Sequence, residues 1–113
     1  MGLLDLFRPR DINKGVKDCA ATEGALLLDV READEYNAGH IPKAVNLPLS
    51  RIATVVKLVP DRGTPLFLYC LTGNRSNSAV GALKRMGYEK LTNIGGIRGW
   101  RGEVEQSGGR KNT

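Results

Sequence analysis

A small α/β domain built on a mainly parallel sheet is the fold class this sequence predicts, and three features carry that reading. Apolar runs of strand length, Ala25-Leu26-Leu27-Leu28 and Leu66-Phe67-Leu68-Tyr69, are separated by segments with helical spacing. Neither run is interrupted by polar residues, as expected of strands covered on both faces, and parallel sheets are covered that way because their crossovers lay helices on each side. The 113 residues have room for one such core and not for a second folded domain.

In chain order, Ile12 followed by Asn13 reads as a short first strand and an N-cap. Val16, Cys19 and Ala20 then recur on one side of a short helix, which Glu23-Gly24 stops. The run from Ala25 continues into Asp29-Val30 as a buried strand. Arg31 to Tyr36 forms a polar helix with acidic residues at its start, closed by Asn37-Ala38-Gly39 and by Pro42 beyond. Ala44-Val45-Asn46-Leu47 is long enough only for a short strand ending at Pro48. Leu49 to Val59 reads as a helix with Ser50 as its cap and Ile52, Val55, Val56 and Val59 on its apolar face, and Pro60-Asp61-Arg62-Gly63 turns the chain into the Leu66–Tyr69 strand.

The next helix runs from about Ser76 to Met86, buries Ala79, Val80, Leu83 and Met86, and stops at Gly87. Lys90-Leu91-Thr92 forms a last strand, Asn93-Ile94-Gly95-Gly96 a turn, and Ile97 to Trp100 a short helical turn. The folded domain spans 12–104. Residues 1–11 and 105–113, with little to bury, are expected to be flexible or loosely docked tails.

Composition narrows the function classes. With 41% apolar and 26% charged residues, and no apolar stretch near the roughly 20 residues that cross a bilayer, no membrane anchoring is expected. The start of the chain lacks the charged leader, hydrophobic run and cleavage site of a signal peptide. Cys19 and Cys70 have neither CxxC nor metal-ligand spacing and His40 is the only histidine, so the chain reads as a reduced, cytoplasmic protein with no metal and no cofactor. Net charge is +5, and between Pro65 and Val104 the residues Arg75, Lys84, Arg85, Lys90, Arg98 and Arg101 outnumber Glu89 and Glu103, which tilts that half toward anions. The basic residues are scattered and sparsely interleaved with aromatics, so nucleic acid is not an expected partner.

Cys70 carries the chemistry. It ends the apolar run Pro65 to Tyr69 and precedes Leu71-Thr72-Gly73-Asn74-Arg75-Ser76, after which a helical pattern begins. Strand, cysteine, short loop and helix in that order converge unpaired backbone N–H groups and a positive helix end on one sulfur. Cys19, on the inward stripe of the first helix, reads instead as a small core hydrophobe.

Three motifs in order resemble the rhodanese-like domain in its single-domain form. Leu28-Asp29-Val30-Arg31, Glu35-Tyr36 and Gly39-His40-Ile41-Pro42-Lys43-Ala44-Val45-Asn46-Leu47-Pro48 match the first signature, Tyr69 to Ser76 the active loop, and Gly95-Gly96-Ile97 with Trp100 the closing motif. The resemblance covers about Ile12 to Trp100. It implies a three-layer fold with a central, mainly parallel five-stranded sheet. It also implies a thiosulfate sulfurtransferase that passes sulfane sulfur through a Cys70 persulfide, from thiosulfate or a protein or low-molecular-weight persulfide to a thiol, to cyanide or to a sulfur-relay protein. Leu71 is apolar where relatives often carry a polar or charged residue, which bears on the choice of donor.

Within the loop, Gly73 permits a backbone angle or a close approach that a side chain would forbid. Thr72 and Asn74 either donate to sulfite oxygens or cap the loop's own backbone. Arg75 offers a planar fork either to a sulfonate or to an acidic clamp, with Asp29 and Glu35 as available partners. Ser76 reads first as a helix cap and second as a pocket donor. Asp29, Arg31 and His40 are expected to support the scaffold, because an aspartate ending a buried strand needs partners and because thiolate attack with sulfite leaving needs no histidine base.

Two other classes compete. Cysteine phosphatases and arsenate reductases also close a thiolate loop with arginine, but their loops resemble Cys-x5-Arg, whereas four residues separate Cys70 from Arg75. A regulatory binding module or a dedicated persulfide relay would keep the fold without general turnover.

Overall fold

The computed structural model describes residues 10–107, and the ends of the chain, 1–9 and 108–113, lie outside the described residues together with most of the two expected tails. Helix α1 (Ile12–Ala20) is followed by β1 (Leu26–Asp29), α2 (Ala33–Ala38), β2 (Val45–Asn46), a 3-10 segment (Leu49–Thr54) running into α3 (Val55–Leu58), β3 (Leu66–Cys70), α4 (Asn74–Arg85), β4 (Leu91–Gly96) and a 3-10 turn (Ile97–Gly99). Strand order is β2-β1-β3-β4, and every neighbouring pair is parallel.

The sheet has four strands among the described residues and not the expected five. Ile12, expected in a first strand, opens α1 instead. The Asp11 carboxylate accepts the N–H of Asn13 at 3.0 Å and of Lys14 at 3.4 Å, so it caps a helix two residues earlier than the expected Asn13 cap. Ile12 then buries its side chain as part of the helix's inward stripe, with Gly15 and Cys19.

The continuous apolar runs do become strands covered on both sides. Alternate β3 residues Leu66, Leu68 and Cys70 join Leu28, Val30, Val55, Val59, Ala79, Leu83 and Tyr88 in a cluster under α3 and α4. Phe67 and Tyr69 join Leu27, Ile41, Ala44, Ile94, Ile12 and Cys19 on the opposite face, under α1. All five β3 residues are buried, as the central position of the strand requires.

The expected single helix over Leu49 to Val59 is broken. A 3-10 segment with non-helical angles at Arg51 precedes one short α-helical turn. Ser50 does not cap it, since its Oγ donates to the Glu32 carboxylate at 3.1 Å. Val55 and Val59 face the core, whereas Val56, expected on the same apolar face, is 37% exposed. The run is rich in β-branched side chains, which weakens its helix preference and lets packing of Val55 and Val59 set the local path.

Past the final turn the chain folds back. Glu105 exchanges both backbone hydrogen bonds with His40, at 2.9 and 2.8 Å, and the Ser107 N–H donates to the Asn37 carbonyl at 3.0 Å. Among the described residues no helix is long and apolar enough to cross a membrane.

The break in the 49–59 segment yields a stability test. Val55→Ala should cost about 1.5–3 kcal/mol and Val56→Ala less than about 0.5 kcal/mol in urea unfolding, because only the first empties a packed site. Equal losses would put both valines on one buried face.

Candidate active site

Cys70 ends β3 at 1% exposure, and its Sγ sits inside a ring of donors. The Gly73 N–H lies 3.0 Å from Sγ, the Ser76 N–H 3.4 Å and the Ser76 hydroxyl 3.5 Å. Burial raises the thiol pKa, yet the Ser76 hydroxyl and the N–H groups of Ser76, Gly73 and Thr72 together outweigh it, so the net shift is downward. Cys19 has no such donors, and burial alone pushes its thiol up. Both thiols are free.

The cradle depends on where α4 starts. The helix begins at Asn74, two residues ahead of the expected Ser76, with Gly73 at its N-cap in the left-handed region at φ 105°. That backbone angle turns the Gly73 and Ser76 N–H groups inward, and it places Ser76 inside the first turn, where it is fully buried rather than capping. Strand β4 lies directly beneath. A Cβ on Gly96 would fall 2.2 Å from the Leu71 carbonyl oxygen, so only glycine lets the strand pass under the loop.

Asn93, read from sequence only as a turn residue, ties that strand to the loop. Its Nδ2 donates to the Gly73 carbonyl at 3.0 Å, and its Oδ1 accepts the Ser76 hydroxyl at 2.8 Å and the Gly95 N–H at 3.0 Å. The Ser76 hydroxyl thus has one proton and three acceptors, namely Asn93 Oδ1, the Gly73 carbonyl and Sγ. A negative sulfur competes for that proton better than a neutral thiol does. The only sequence signal for Asn93 was a side chain two residues ahead of paired glycines, which turn chemistry explains equally well.

Arg75 directs its fork away from the sulfur. Nη1 donates to Glu35 Oε1 at 2.7 Å and Nη2 to Glu35 Oε2 at 3.0 Å, which fastens the loop to α2. This pairing holds the Glu35 carboxyl down at about 2. Asp29, the other available partner, is fully buried and bound by Arg31, whose Nη2 donates at 2.7 Å and Nε at 3.0 Å. Arg31 also donates to the Gly39 carbonyl at 2.7 Å, so the pair braces the 39–41 segment. His40 stacks on Tyr36 with ring centroids 3.7 Å apart, and its Nδ1 donates to the Tyr36 carbonyl at 2.8 Å. These bonds hold the loop carrying His40, and Cys70 receives none from it.

Leu71, Thr72 and Asn74 form the outer side of the loop. The Leu71 carbonyl accepts the Arg98 N–H at 3.2 Å, while Thr72 and Asn74 are exposed. Leu71, Thr72 and Gly96 also line an open groove of about 550 Å³.

Comparison with known proteins places these features in context. The model of the rhodanese-like domain matches residues 11–103. The adenylyltransferase and sulfurtransferase uba4 of Ogataea parapolymorpha is 31% identical over 97 residues, covering 85% of this chain and 25% of that protein. Thiosulfate sulfurtransferase PspE of Escherichia coli is 33% identical over 72 residues, covering 63% of this chain and 69% of that protein. Among solved structures, a rhodanese from E. coli with anions superposes with TM-score 0.68 at 28% identity, covering 74% of this chain and 99% of that one. The chain spans between a quarter and just under half of the longer curated relatives it matches.

Two measurements check the electrostatics. Ser76→Ala should raise the apparent pKa of Cys70, read as a shift to higher pH in the rate of iodoacetamide alkylation, because it removes the strongest of the groups lowering it. For Glu35, whose folded pKa is depressed, the stabilisation is present above the ordinary carboxylate range and lost as pH falls toward about 2. The stability difference between the unmodified chain and Glu35→Gln should therefore shrink steadily from pH 5 to pH 2 in denaturant titrations.

Proposed function

The chain belongs to the rhodanese-like domain family, and from that premise we propose that it is a sulfurtransferase in which Cys70 carries sulfane sulfur as a persulfide. The observation that carries this reading is the ring of N–H and O–H donors closed on a buried Sγ at the carboxyl end of β3. With thiosulfate as donor, the Cys70 thiolate attacks the outer sulfur, a new S–S bond forms, and sulfite leaves with the electron pair of the broken bond. The same donors then hold the charge on the outer sulfur of the persulfide. An acceptor thiolate or cyanide attacks that outer sulfur and returns Cys70 as thiolate. Every step moves a sulfur between sulfur or carbon nucleophiles, and none needs a histidine base.

Roles follow from the contacts. Gly73 and Ser76 present their N–H groups to Sγ, Thr72 adds a third, and Leu71 with Asn74 shapes the rim. Arg75 works as a positioning residue, because Glu35 occupies its fork while its positive charge remains close enough to interact with Cys70. Asp29, Arg31 and His40 keep the neighbouring segments in place. Four residues between Cys70 and Arg75 leave a ring matched to one added sulfur and too tight for a tetrahedral phosphate, which favours sulfur over phosphoryl or arsenate chemistry. The domain works in the cytoplasm on small donors or on a persulfide relay protein, with no nucleic-acid or membrane partner.

The test combines mass and substrate. After thiosulfate treatment, intact mass should show one added sulfur that dithiothreitol removes, present in Cys19→Ala and absent in Cys70→Ala, with no turnover of an aryl phosphate. Label on Cys19 alone, or phosphate turnover lost with Cys70 and no persulfide from any donor, would sink the assignment.

A further inference from the structure

The open groove beside the active loop carries more positive charge than thiosulfate needs. Arg10, Arg98 and Arg101 line it against a single carboxylate, Asp11, which is already engaged in capping α1. All three arginines are exposed, and none is ion-paired with another described residue. Their backbones are nevertheless fixed. The Arg98 N–H donates to the Leu71 carbonyl at 3.2 Å, the Arg101 N–H to Asn13 Oδ1 at 3.0 Å, and Asn13 Nδ2 to the Gly99 carbonyl at 3.0 Å. Arg10 packs against β4, where a Cβ on Gly95 would lie 3.2 Å from the arginine's own Cβ.

We propose that this groove docks an acidic segment of the protein that exchanges sulfur with Cys70. The inference rests on the reading of Cys70 as sulfur carrier. Size and shape select the class of ligand: about 550 Å³ is several times what thiosulfate fills, and the site is wide open, whereas small-molecule sites enclose most of their ligand. A chain segment bearing carboxylates satisfies three guanidinium groups on a fixed floor without having to be enclosed. Leu71 and Thr72 belong both to the groove and to the loop after Cys70, so a segment seated there brings its own thiol to the rim of the cradle. The exchange is balanced. The partner's thiolate attacks the outer sulfur of the Cys70 persulfide, the Sγ–S bond breaks, the partner leaves as persulfide and Cys70 returns as thiolate, with no net oxidation.

The full chain is loaded with thiosulfate, desalted and mixed with either the acidic peptide Glu-Asp-Glu-Gly-Cys or its neutral analogue Gln-Asn-Gln-Gly-Cys, and loss of the added sulfur is followed by intact mass. At low salt the acidic peptide should remove sulfur about five- to tenfold faster. The gap should close near 0.5 M salt and in Arg98→Gln combined with Arg101→Gln, an exposed pair whose replacement spares the core. Equal rates for the two peptides with the unmodified chain, or a gap that survives in the double variant, would overturn the proposal. So would thiosulfate loading slowed in the double variant as much as peptide transfer, since the groove would then be a general anion funnel. If the unmodified chain takes up no sulfur at all, the sulfur-carrier reading falls first and this proposal with it.

Discussion

A thiolate kept out of water at Cys70 would have to recover from the protein the solvation it loses, and the donors of the loop are placed to return it. Burying an ion costs several kcal/mol even after relaxation, by about the measure of other buried charges. Hydrogen bonds to a charged group return about 1.5–3 kcal/mol each. Two N–H groups and one hydroxyl within 3.5 Å of Sγ are therefore of the right number to offset the burial, and the downward net shift of the thiol is the expected result. The cradle shifts the balance toward thiolate relative to a free cysteine, and it does so with dipoles already in place before any substrate arrives.

Dipoles that must stay in place need a rigid frame, and the frame is built from contacts far apart in sequence. Asn93 reaches the Gly73 carbonyl and the Ser76 hydroxyl from β4, and Glu35 takes the Arg75 fork from α2. The first bond holds the floor of the loop and the second its far end. Beneath them Gly96 removes the one side chain that would collide with Leu71, so strand and loop approach to backbone contact. The loop is accordingly held from two sides, while Thr72 and Asn74 stay exposed at its rim.

The cationic groove obeys a different logic. Its backbone is tied to the same loop through Arg98 and Leu71, yet its guanidinium groups remain in solvent. Buried dipoles set the reactivity of the sulfur, and exposed charges act on what approaches it, through a field that salt screens. Separating the two lets either change without disturbing the other.

The sequence by itself determined the strands β1 and β3, because a strand buried on both faces must be apolar at every position, and Leu26–Leu28 and Leu66–Tyr69 carry that signature within a few residues. It also marked Cys70 and the residues through Ser76 as one strand-loop-helix unit, since that order is local. Tertiary structure decided the rest. Ile12 could serve a strand or a helix until Asp11 capped α1, and Val55 and Val56 are equivalent by composition until one meets the core. Ser76 reads as a cap until Gly73 adopts its left-handed angle and starts α4 early. Locally, Asn93 reads only as a turn residue and Arg98 and Arg101 only as part of a scattered positive excess, and nothing joins them to Arg10 in a groove. Their roles arise from contacts between segments 17 or more residues apart in the chain, and a short window of sequence does not record which segments the fold brings together.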